Sequence, residues 1–403
     1  MSEVATATPR TRKPKIDVVV VKVPGTTRTV TKVVTTTAAG AKTVVTVPTK
    51  SALVSPAKKY YGLAEDGLPG SQTLFSSLDE KAGKAPNLVE WFEYWDDSYS
   101  PQKVTQSWQR GALPVITWQS APHDYANSHR DISGYSMQNI ARGTFDRYLS
   151  SFATSVVNTK LPVVIRLDQE MNGNWYPWSA GYSDRGITND PRYFRAAWQH
   201  IWQVFDRAGA NKYVIWGWTP SRTDTLKPGS TTGFTNGDTG LVEDYPGDRY
   251  VDWLGMSGYQ FRPSQPATYD YTFDGTLNGN TADVGLKSVS RTKPILIAEM
   301  GSAQVVGEDT DNTAAKTAWT TQTLAAVADD PRLVGFVLFN NDVKRLHSIR
   351  LTDGTHLSVD TNWQFASSAP ALAAFRQGIA DPRFGNGLMP AQLKGTVTLK
   401  GQS

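Results

Sequence analysis

Short apolar runs alternate with longer segments of helical pattern along the chain from Tyr60 onward. This alternation is typical of repeated strand-helix units that build a parallel sheet. Two of the intervening segments, 145–152 and 193–202, carry apolar residues at helical spacing. The apolar runs cover residues 60–64, 88–92, 114–118, 163–167, 213–218, 252–258, 295–298 and 334–339. These are eight runs, and eight is the strand number of a (β/α)8 barrel, so the pattern predicts an α/β chain with that fold.

A doubly wound sheet is the alternative for such a pattern. It usually carries a glycine-rich phosphate loop after an early strand, and neither GxGxxG nor GxxxxGK[ST] occurs here. The chain has no Cys, which excludes disulfides, a thiol nucleophile and thiolate metal sites. Its five His are scattered, so the sequence predicts neither a metal site nor a cofactor.

The composition changes along the chain and predicts four segments. Residues 1–15 are rich in Thr, Pro, Lys and Arg and are expected to be disordered, whereas residues 16–55 hold Val/Thr runs that predict strands. This second segment has too few aromatic residues for a core of its own, so we expect an anchoring arm that pairs with another chain. Residues 56–376 form the predicted barrel, and residues 377–403, with several Pro and Gly, an irregular extension.

Charge is distributed unevenly between these segments. Residues 1–60 contain 11 Lys/Arg and two acidic residues, a net charge of +9, while the remainder, with 30 basic and 35 acidic side chains, carries −5. A basic arm of this kind suits an acidic protein surface, an anionic envelope or a nucleic acid, or is merely a solvated tail. Nucleic acid is the least favoured partner, because the arm shows no recognisable binding module.

Two glutamates stand where the chemistry of a barrel enzyme is expected. Glu170 follows the fourth apolar run and Glu299 ends the seventh, and the catalytic groups of such barrels lie at the carboxyl ends of the strands. One carboxylic acid and one carboxylate held close together are what retaining hydrolysis of a glycosidic bond requires. The alternative is that each glutamate only pairs with a buried Arg.

Four segments resemble those of a known family. The segment RLDQEMNGNWYPW (166–178) is similar to the fourth-strand motif of glycoside hydrolase family 26, the β-mannanase-like family. Segments 214–221, 245–255 and 293–302 resemble its fifth, sixth and seventh strands, and the likeness extends over roughly residues 60–375. The resemblance implies a retaining, endo-acting glycoside hydrolase whose substrate is a polysaccharide.

The resemblance also implies roles for individual residues. It makes Glu170 the acid/base, Glu299 the nucleophile and Tyr259 the phenol that hydrogen-bonds the nucleophile, with Arg166 as a further donor. Trp175 and Trp178 are expected to wall the Glu170 pocket and raise its pKa by desolvation. The sequence departs from the family at Gln169, where a His usually binds the sugar, so sugar selectivity is in doubt.

Further candidates follow other predicted strands. Trp118 and His123 come after the third run and Trp218 ends the fifth. We expect Trp218 to be a sugar platform because the family resemblance places it there, while His123 is equally well explained as a hydrogen-bonded loop residue.

The N-terminal features suggest where the enzyme acts. The first residues, MSEVAT, lack the apolar segment of a secretory signal, and no run approaches the roughly 18 apolar residues of a membrane span. The whole chain resembles the minor tail proteins of actinobacteriophages that carry this hydrolase domain. The resemblance implies a location at the phage tail tip, where the arm contacts other tail proteins and the barrel acts outside the cell on the host envelope.

Two interpretations from other classes remain open. A carbohydrate-binding adhesin would keep the barrel and lose turnover, and Gln169 is its best support. A structural tail component would use the barrel only as a spacer. Sugar release from envelope glycan distinguishes a hydrolase from both.

Overall fold

The structure, a computed structural model, describes residues 15–23, 26–27, 29–37, 40, 42–126, 131–179, 182–184, 186–223, 237–260, 266–279, 284–306, 312–350, 356–387 and 391–392. Its central feature is a closed barrel of eight parallel strands, in which each strand pairs with the next and the eighth pairs with the first. In chain order the barrel strands are Tyr60–Ala64, Leu88–Tyr94, Leu113–Gln119, Val163–Leu167, Val214–Trp218, Trp253–Gln260, Ile295–Ser302 and Leu333–Phe339. The predicted (β/α)8 fold is confirmed.

The barrel strands are apolar along their length because both of their faces are covered. The fourth strand, Val163–Leu167, is buried at every position, since one face fills the barrel and the other meets the surrounding helices. A polar side chain within such a strand therefore needs a partner inside the barrel. Arg166 is one of these, and its partners define the site described below.

Helices connect and surround the strands. Several begin at side chains that accept a hydrogen bond from the first turn; Asp190, for example, accepts from the amide of Arg192 at 2.8 Å and precedes Pro191 at the first helical position. The described α-helices are Lys50–Val54, Gln72–Ala82, Pro101–Gln109, Met137–Ala141, Asp146–Thr159, Pro191–Arg207, Gly237–Asp244, Gly275–Asn278, Leu286–Val289, Thr313–Asp329 and Ala369–Ile379. None of these helices combines the length and apolar character that crossing a bilayer requires.

The N-terminal strands form a separate antiparallel sheet. Lys15–Lys22, Thr29–Thr36 and Lys42–Val47 pair in order, and Ala391–Gln392 from the far end of the chain adds a short fourth strand. Val33, Val45 and Val47 are buried on one face, which packs against helix Pro101–Gln109 of the barrel. The barrel therefore covers that face of the sheet, and pairing of the arm with another chain stays a prediction. The predicted disorder falls almost entirely on residues 1–14, outside the described part of the chain.

Two smaller sheets lie in the connections after barrel strands. Gln304–Val306, Asp342–Arg350 and His356–Asn362 form a three-stranded antiparallel sheet that follows the seventh and eighth barrel strands. A two-stranded hairpin, Ser183–Asp184 with Ile187–Thr188, lies between the fourth strand and its helix. These additions sit at the carboxyl ends of the strands, where barrel enzymes bind their substrates.

Candidate active site

Glu170 projects from a tight turn at the end of the fourth barrel strand. Asp168 and Glu170 both have left-handed backbones, with φ of 46° and 58°, a conformation that costs free energy for any residue except glycine. Backbone hydrogen bonds to both neighbouring strands hold the turn: Asp168 N–H to the carbonyl of Trp118 at 3.0 Å, and Glu170 N–H to that of Thr219 at 2.7 Å. Glu170 is therefore presented by a fixed and strained segment, as is common for catalytic residues.

The carboxyl group of Glu170 is partly buried and poorly solvated. Burial, and then the negative charge of Glu299, raise its pKa from 4.5 to about 7, while Arg166 and hydrogen bonds from Ser257 and Trp175 oppose the rise. The indole Nε1 of Trp175 donates to Glu170 Oε2 at 2.9 Å. A carboxyl group of this kind stays largely protonated up to neutral pH and is able to act as an acid.

Glu299, on the seventh strand, has a donor at each carboxylate oxygen. Arg166 Nη1 donates to Oε2 at 2.6 Å, and the hydroxyl of Tyr259 donates to Oε1. A Cβ atom at Gly301 would lie 2.8 Å from the ring of Trp363 and 3.1 Å from that of Tyr259, so the glycine leaves room for the phenol. Donors on both oxygens suit a carboxylate that reacts as an anion.

Tyr259 keeps its proton in this position. Burial, followed by the charge of Glu299, raises the pKa of the Tyr259 phenol well above its usual value. The phenol therefore remains a donor to Glu299 throughout the neutral range. This is the placement that the resemblance implies.

Arg166 links several strands at the centre of the barrel. It is 1% exposed, and besides Glu299 its Nη1 contacts Glu90 Oε1 at 3.2 Å and the hydroxyl of Thr117 at 3.3 Å. Its Nη2 donates to the hydroxyl of Ser257 at 2.6 Å. The guanidinium of Arg166 thus contacts two carboxylates, those of Glu90 and Glu299. It is connected to Glu170 through the hydroxyl of Ser257.

Sequence reasoning missed Glu90 and Ser257. Glu90 lies inside the second strand, is 1% exposed, and has its pKa raised to about 7 by burial despite the neighbouring Arg166. The sequence does indicate Glu90, because it is a charged residue in the middle of the apolar run LVEWF. Such a residue has to be paired inside the barrel. Ser257 gives no comparable signal, since a small hydroxyl is common in a buried strand.

Gln169 is buried beside the reactive pair. Its amide Nε2 donates to Gln119 Oε1 at 3.1 Å, and both side chains are at most 3% exposed. Asp168 does not face Glu170: it accepts from the amide and hydroxyl of Ser120, each at 2.8 Å, while burial raises its pKa to about 7. At the position of Gln169, where the family resemblance leads us to expect a histidine, the chain thus has an amide that does not titrate and that is held by Gln119.

Three of the tryptophans predicted to lie at the site are fully buried, which is against the sugar-platform role expected of Trp218. Trp118, Trp178 and Trp218 are each 0% exposed, because their rings point into packed layers between strands, loops and helices. Their ring partners are Phe152 for Trp118, Tyr176 for Trp178 and Tyr245 for Trp218. Trp175, by contrast, is 39% exposed and lies next to Glu170.

His123 lies at the rim of the barrel, away from the hydrogen-bond network of the two glutamates. Its Nδ1 is 2.9 Å from Asp96 Oδ1, its Nε2 is 3.4 Å from Asp97 Oδ2, and its ring packs on that of Tyr94. Among the described residues, these two aspartates and His123 bring potential metal-ligand atoms within 4.8 Å of one another, at an exposed position. Hydrogen bonding already accounts for the grouping.

The chain is similar to a known family model and to two named proteins. Residues 136–301, which include both glutamates, Arg166 and Tyr259, match the family model described as Glycosyl hydrolase family 26. The chain is 27% identical over 317 residues to "Endoglucanase H" of Acetivibrio thermocellus, covering 78% of this chain and 29% of that protein. It is 22% identical over 260 residues to "Mannan endo-1,4-beta-mannosidase" of Bacillus subtilis, covering 59% of this chain and 64% of the other. The chain therefore spans less than two thirds of either relative.

Solved structures show the same architecture. A modular endo-beta-1,4-mannanase from Cellulomonas fimi aligns with a TM-score of 0.54 at 16% identity, covering 84% of this chain and 74% of the other. At that identity the likeness concerns the fold alone. The segment that matches the family model, residues 136–301, lies within this barrel.

Proposed function

We propose that this protein is a retaining, endo-acting glycoside hydrolase in which Glu170 is the acid/base and Glu299 the nucleophile. One observation carries the proposal: the carboxyl group after the fourth strand and the carboxyl group within the seventh strand have opposite environments. The carboxylate of Glu299 accepts hydrogen bonds from Arg166 and Tyr259. Burial and the charge of Glu299, by contrast, raise the pKa of Glu170 to about 7. Two carboxyl groups with such different environments fit the separate acid and nucleophile roles of glycoside hydrolysis.

The first chemical step follows from this difference. The carboxylate of Glu299 attacks the anomeric carbon while the protonated Glu170 gives its proton to the glycosidic oxygen. The bond between the anomeric carbon and that oxygen breaks, and a covalent glycosyl ester forms on Glu299. Tyr259 and Arg166 hold the attacking carboxylate in one orientation, which reduces the entropy cost of reaching the transition state.

The second step uses the same two residues in reversed roles. Once Glu299 is esterified its negative charge is gone, and that charge is the second-largest cause of the raised pKa of Glu170. The pKa of Glu170 is therefore lower in the intermediate, which favours the ionised form. Ionised Glu170 then takes a proton from water, whose oxygen attacks the anomeric carbon and releases Glu299 with the original anomeric configuration.

For the substrate we propose a β-1,4-linked hexose polysaccharide of the mannan type. The names of the two relatives, an endoglucanase and a mannan endo-1,4-beta-mannosidase, support an endo-acting enzyme on such a backbone. Trp175, exposed beside Glu170, offers an aromatic face for one sugar ring. The buried pair Gln169 and Gln119 is a reason to test glucan and envelope glycans beside mannan.

Reducing-sugar release tests the proposal. Wild type, Glu299→Ala and the exposed control Glu80→Gln are incubated with β-mannan, β-glucan and actinobacterial envelope polysaccharide. We expect release by wild type and control on at least one substrate, with a loss of at least a thousandfold in Glu299→Ala. Equal release by Glu299→Ala would overturn the assignment, and binding by all three proteins without any release would favour an adhesin.

We further propose that the enzyme acts on the host envelope as part of a phage tail, anchored by the N-terminal sheet. Two features support an anchoring role: the edge strand Lys15–Lys22 exposes Val20 and Val21 at 48% and 37%, and residues 1–60 carry a net charge of +9. Mass spectrometry of purified virions, combined with antibody labelling, tests it. The chain is expected at the tail tip, and its absence from virions would refute this location.

A further inference from the structure

The N-terminal sheet has one face against the barrel and one face turned away from it. Val33 is buried on the barrel side, and Val18 and Val45 are its direct partners on the neighbouring strands. Paired residues share a face of the sheet, and successive residues along a strand alternate between faces. The register therefore places five valines on the side away from the barrel. They form the valine face: Val19, Val21, Val30, Val34 and Val44.

The valine face is apolar on a side that the described residues leave uncovered. None of its members is buried, and none packs against the core of the described chain, whereas Val18 on the other side of the sheet does. An antiparallel sheet with one solvated face normally alternates apolar and polar residues, and continuous apolar runs are typical of strands covered on both faces. The strand Lys15–Lys22 contains the continuous run VVVV (18–21). The pattern therefore indicates that the outer side of the sheet is covered as well.

A lysine lies at the centre of the valine face. Lys32 is paired with Val19 on one side and with Thr46 on the other, and Val30 and Val34 are two positions away along its own strand. It has no ion-pair partner among the described residues. Once the surrounding valines are covered, its ammonium group loses water, so the covering surface has to supply a carboxylate.

We propose that the valine face binds a partner protein whose surface is apolar and carries an Asp or Glu opposite Lys32. A second cation, Lys42, stands on the same face beside Thr36, while the charge of Lys15 is balanced by Asp17 at 3.0 Å. The face is thus basic and complements an acidic partner. The inference deepens the proposed anchoring by the N-terminal sheet, and it does not depend on the hydrolase activity.

Charge also argues against other occupants of the valine face. A second copy stacked on it would bring an identical basic surface and place Lys32 near its own equivalent. The terminal segments of this chain are basic too: residues 1–14 carry three Lys/Arg against one acidic residue, and residues 393–403 carry two against none. A bilayer or a nucleic acid is negatively charged, but the face has no Leu, Phe or Trp to insert into lipid and no aromatic ring to stack on bases.

Site-specific photo-cross-linking tests the surface. The chain is produced from its native genome with a diazirine amino acid in place of Val21, which is 37% exposed, or of Val242, a 51% exposed control on helix Gly237–Asp244. The producing cells are irradiated, and cross-linked peptides are identified by mass spectrometry. We expect the probe at Val21 to label one other protein, at an apolar segment that contains Asp or Glu, and the probe at Val242 not to label that protein.

Charge variants then test the predicted ion pair. Lys32→Glu should lower the yield of the cross-link at least tenfold, while Lys32→Arg keeps it and both variants keep the wild-type melting temperature. Changing the partner's carboxylate to Lys should restore the yield in Lys32→Glu. This rescue requires a direct contact and would not follow from a general loss of stability.

The outcomes separate the docking surface from the proposed location. No cross-link from Val21, a cross-link to a second copy, to lipid or to nucleic acid, or an equal yield in Lys32→Glu would overturn the docking surface. If the partner is found and rescued but is absent from virions, the phage location fails and the docking surface stands. If the chain is found at the tail tip but Val21 labels nothing, the location stands and the docking surface fails.

Discussion

The protonation of Glu170 sets the pH range in which the enzyme is expected to work. Ionising this group in place, with its pKa raised from 4.5 to about 7, costs about 3 kcal/mol more than ionising an ordinary glutamate. At pH 7 about half of the molecules carry the proton, against roughly one in 300 for an unperturbed carboxyl group. Because the acid form is the active form in the first step, kcat/KM should hold below pH 7 and fall about tenfold per pH unit above it.

Replacing the carboxyl group tests the assignment. Glu170→Gln keeps the shape of the side chain and removes the proton donor, so cleavage of polysaccharide should fall by about 10² to 10⁴. An aryl glycoside whose leaving group needs no protonation should still form the intermediate, and azide, which needs no general base, should then speed turnover. These rates are measured from pH 4 to pH 9 alongside wild type.

Two other carboxyl groups titrate in the same range, and the variant separates them from Glu170. Burial also raises the pKa of Glu90 and of Asp168 to about 7. If Glu170 causes the fall in rate above pH 7, Glu170→Gln should show no such fall in its residual rate. A variant that keeps full activity on polysaccharide, or an unchanged fall near pH 7, would refute the reasoning.

Three other substitutions test neighbouring features. Tyr259→Phe removes the hydroxyl that donates to Glu299; we expect kcat on mannohexaose to fall about 10²-fold with an unchanged melting temperature, and a wild-type kcat would show that the phenol has no catalytic role. In Gly173→Ala the new Cβ would lie 2.7 Å from the ring of Trp175; we expect the ring to move, seen as altered tryptophan fluorescence with a raised KM, while unchanged spectra and KM would contradict the contact. Trp218→Ala empties a fully buried site; we expect about 3 to 5 kcal/mol less stability in urea unfolding, whereas a raised KM at full stability would restore Trp218 as a sugar platform.

The barrel and the two glutamates could be predicted from sequence for physical reasons. Strands buried on both faces need continuous apolar runs, and these stand out wherever helices separate them. Glu170 and Glu299 could be located because each follows or ends such a run, and strand ends meet on one side of the barrel. The spacing alone gave the positions; their roles came from the family resemblance and remain predictions.

The tryptophans show where sequence reasoning fails. Trp118 and Trp218 lie near strand ends just as the glutamates do, yet their rings pack against helices and loops at 0% exposure. Whether a residue at a strand end faces the cleft or the outer layer depends on backbone details, such as the left-handed turn at Asp168 and Glu170, that no apolar pattern encodes. The contact of Gln169 with Gln119 was equally hidden, because it joins two residues that are 50 positions apart in the sequence.

The covalent intermediate is the most direct test of the account, because only a retaining enzyme with Glu299 as nucleophile forms it there. The protein is incubated with a 2-deoxy-2-fluoro manno-disaccharide that carries a good leaving group, and is then digested and analysed by mass spectrometry. We predict one added disaccharide on the peptide that contains Glu299, and none in Glu299→Gln. Label on Glu170, or turnover of mannohexaose to products of inverted configuration with no label anywhere, would contradict the central claim.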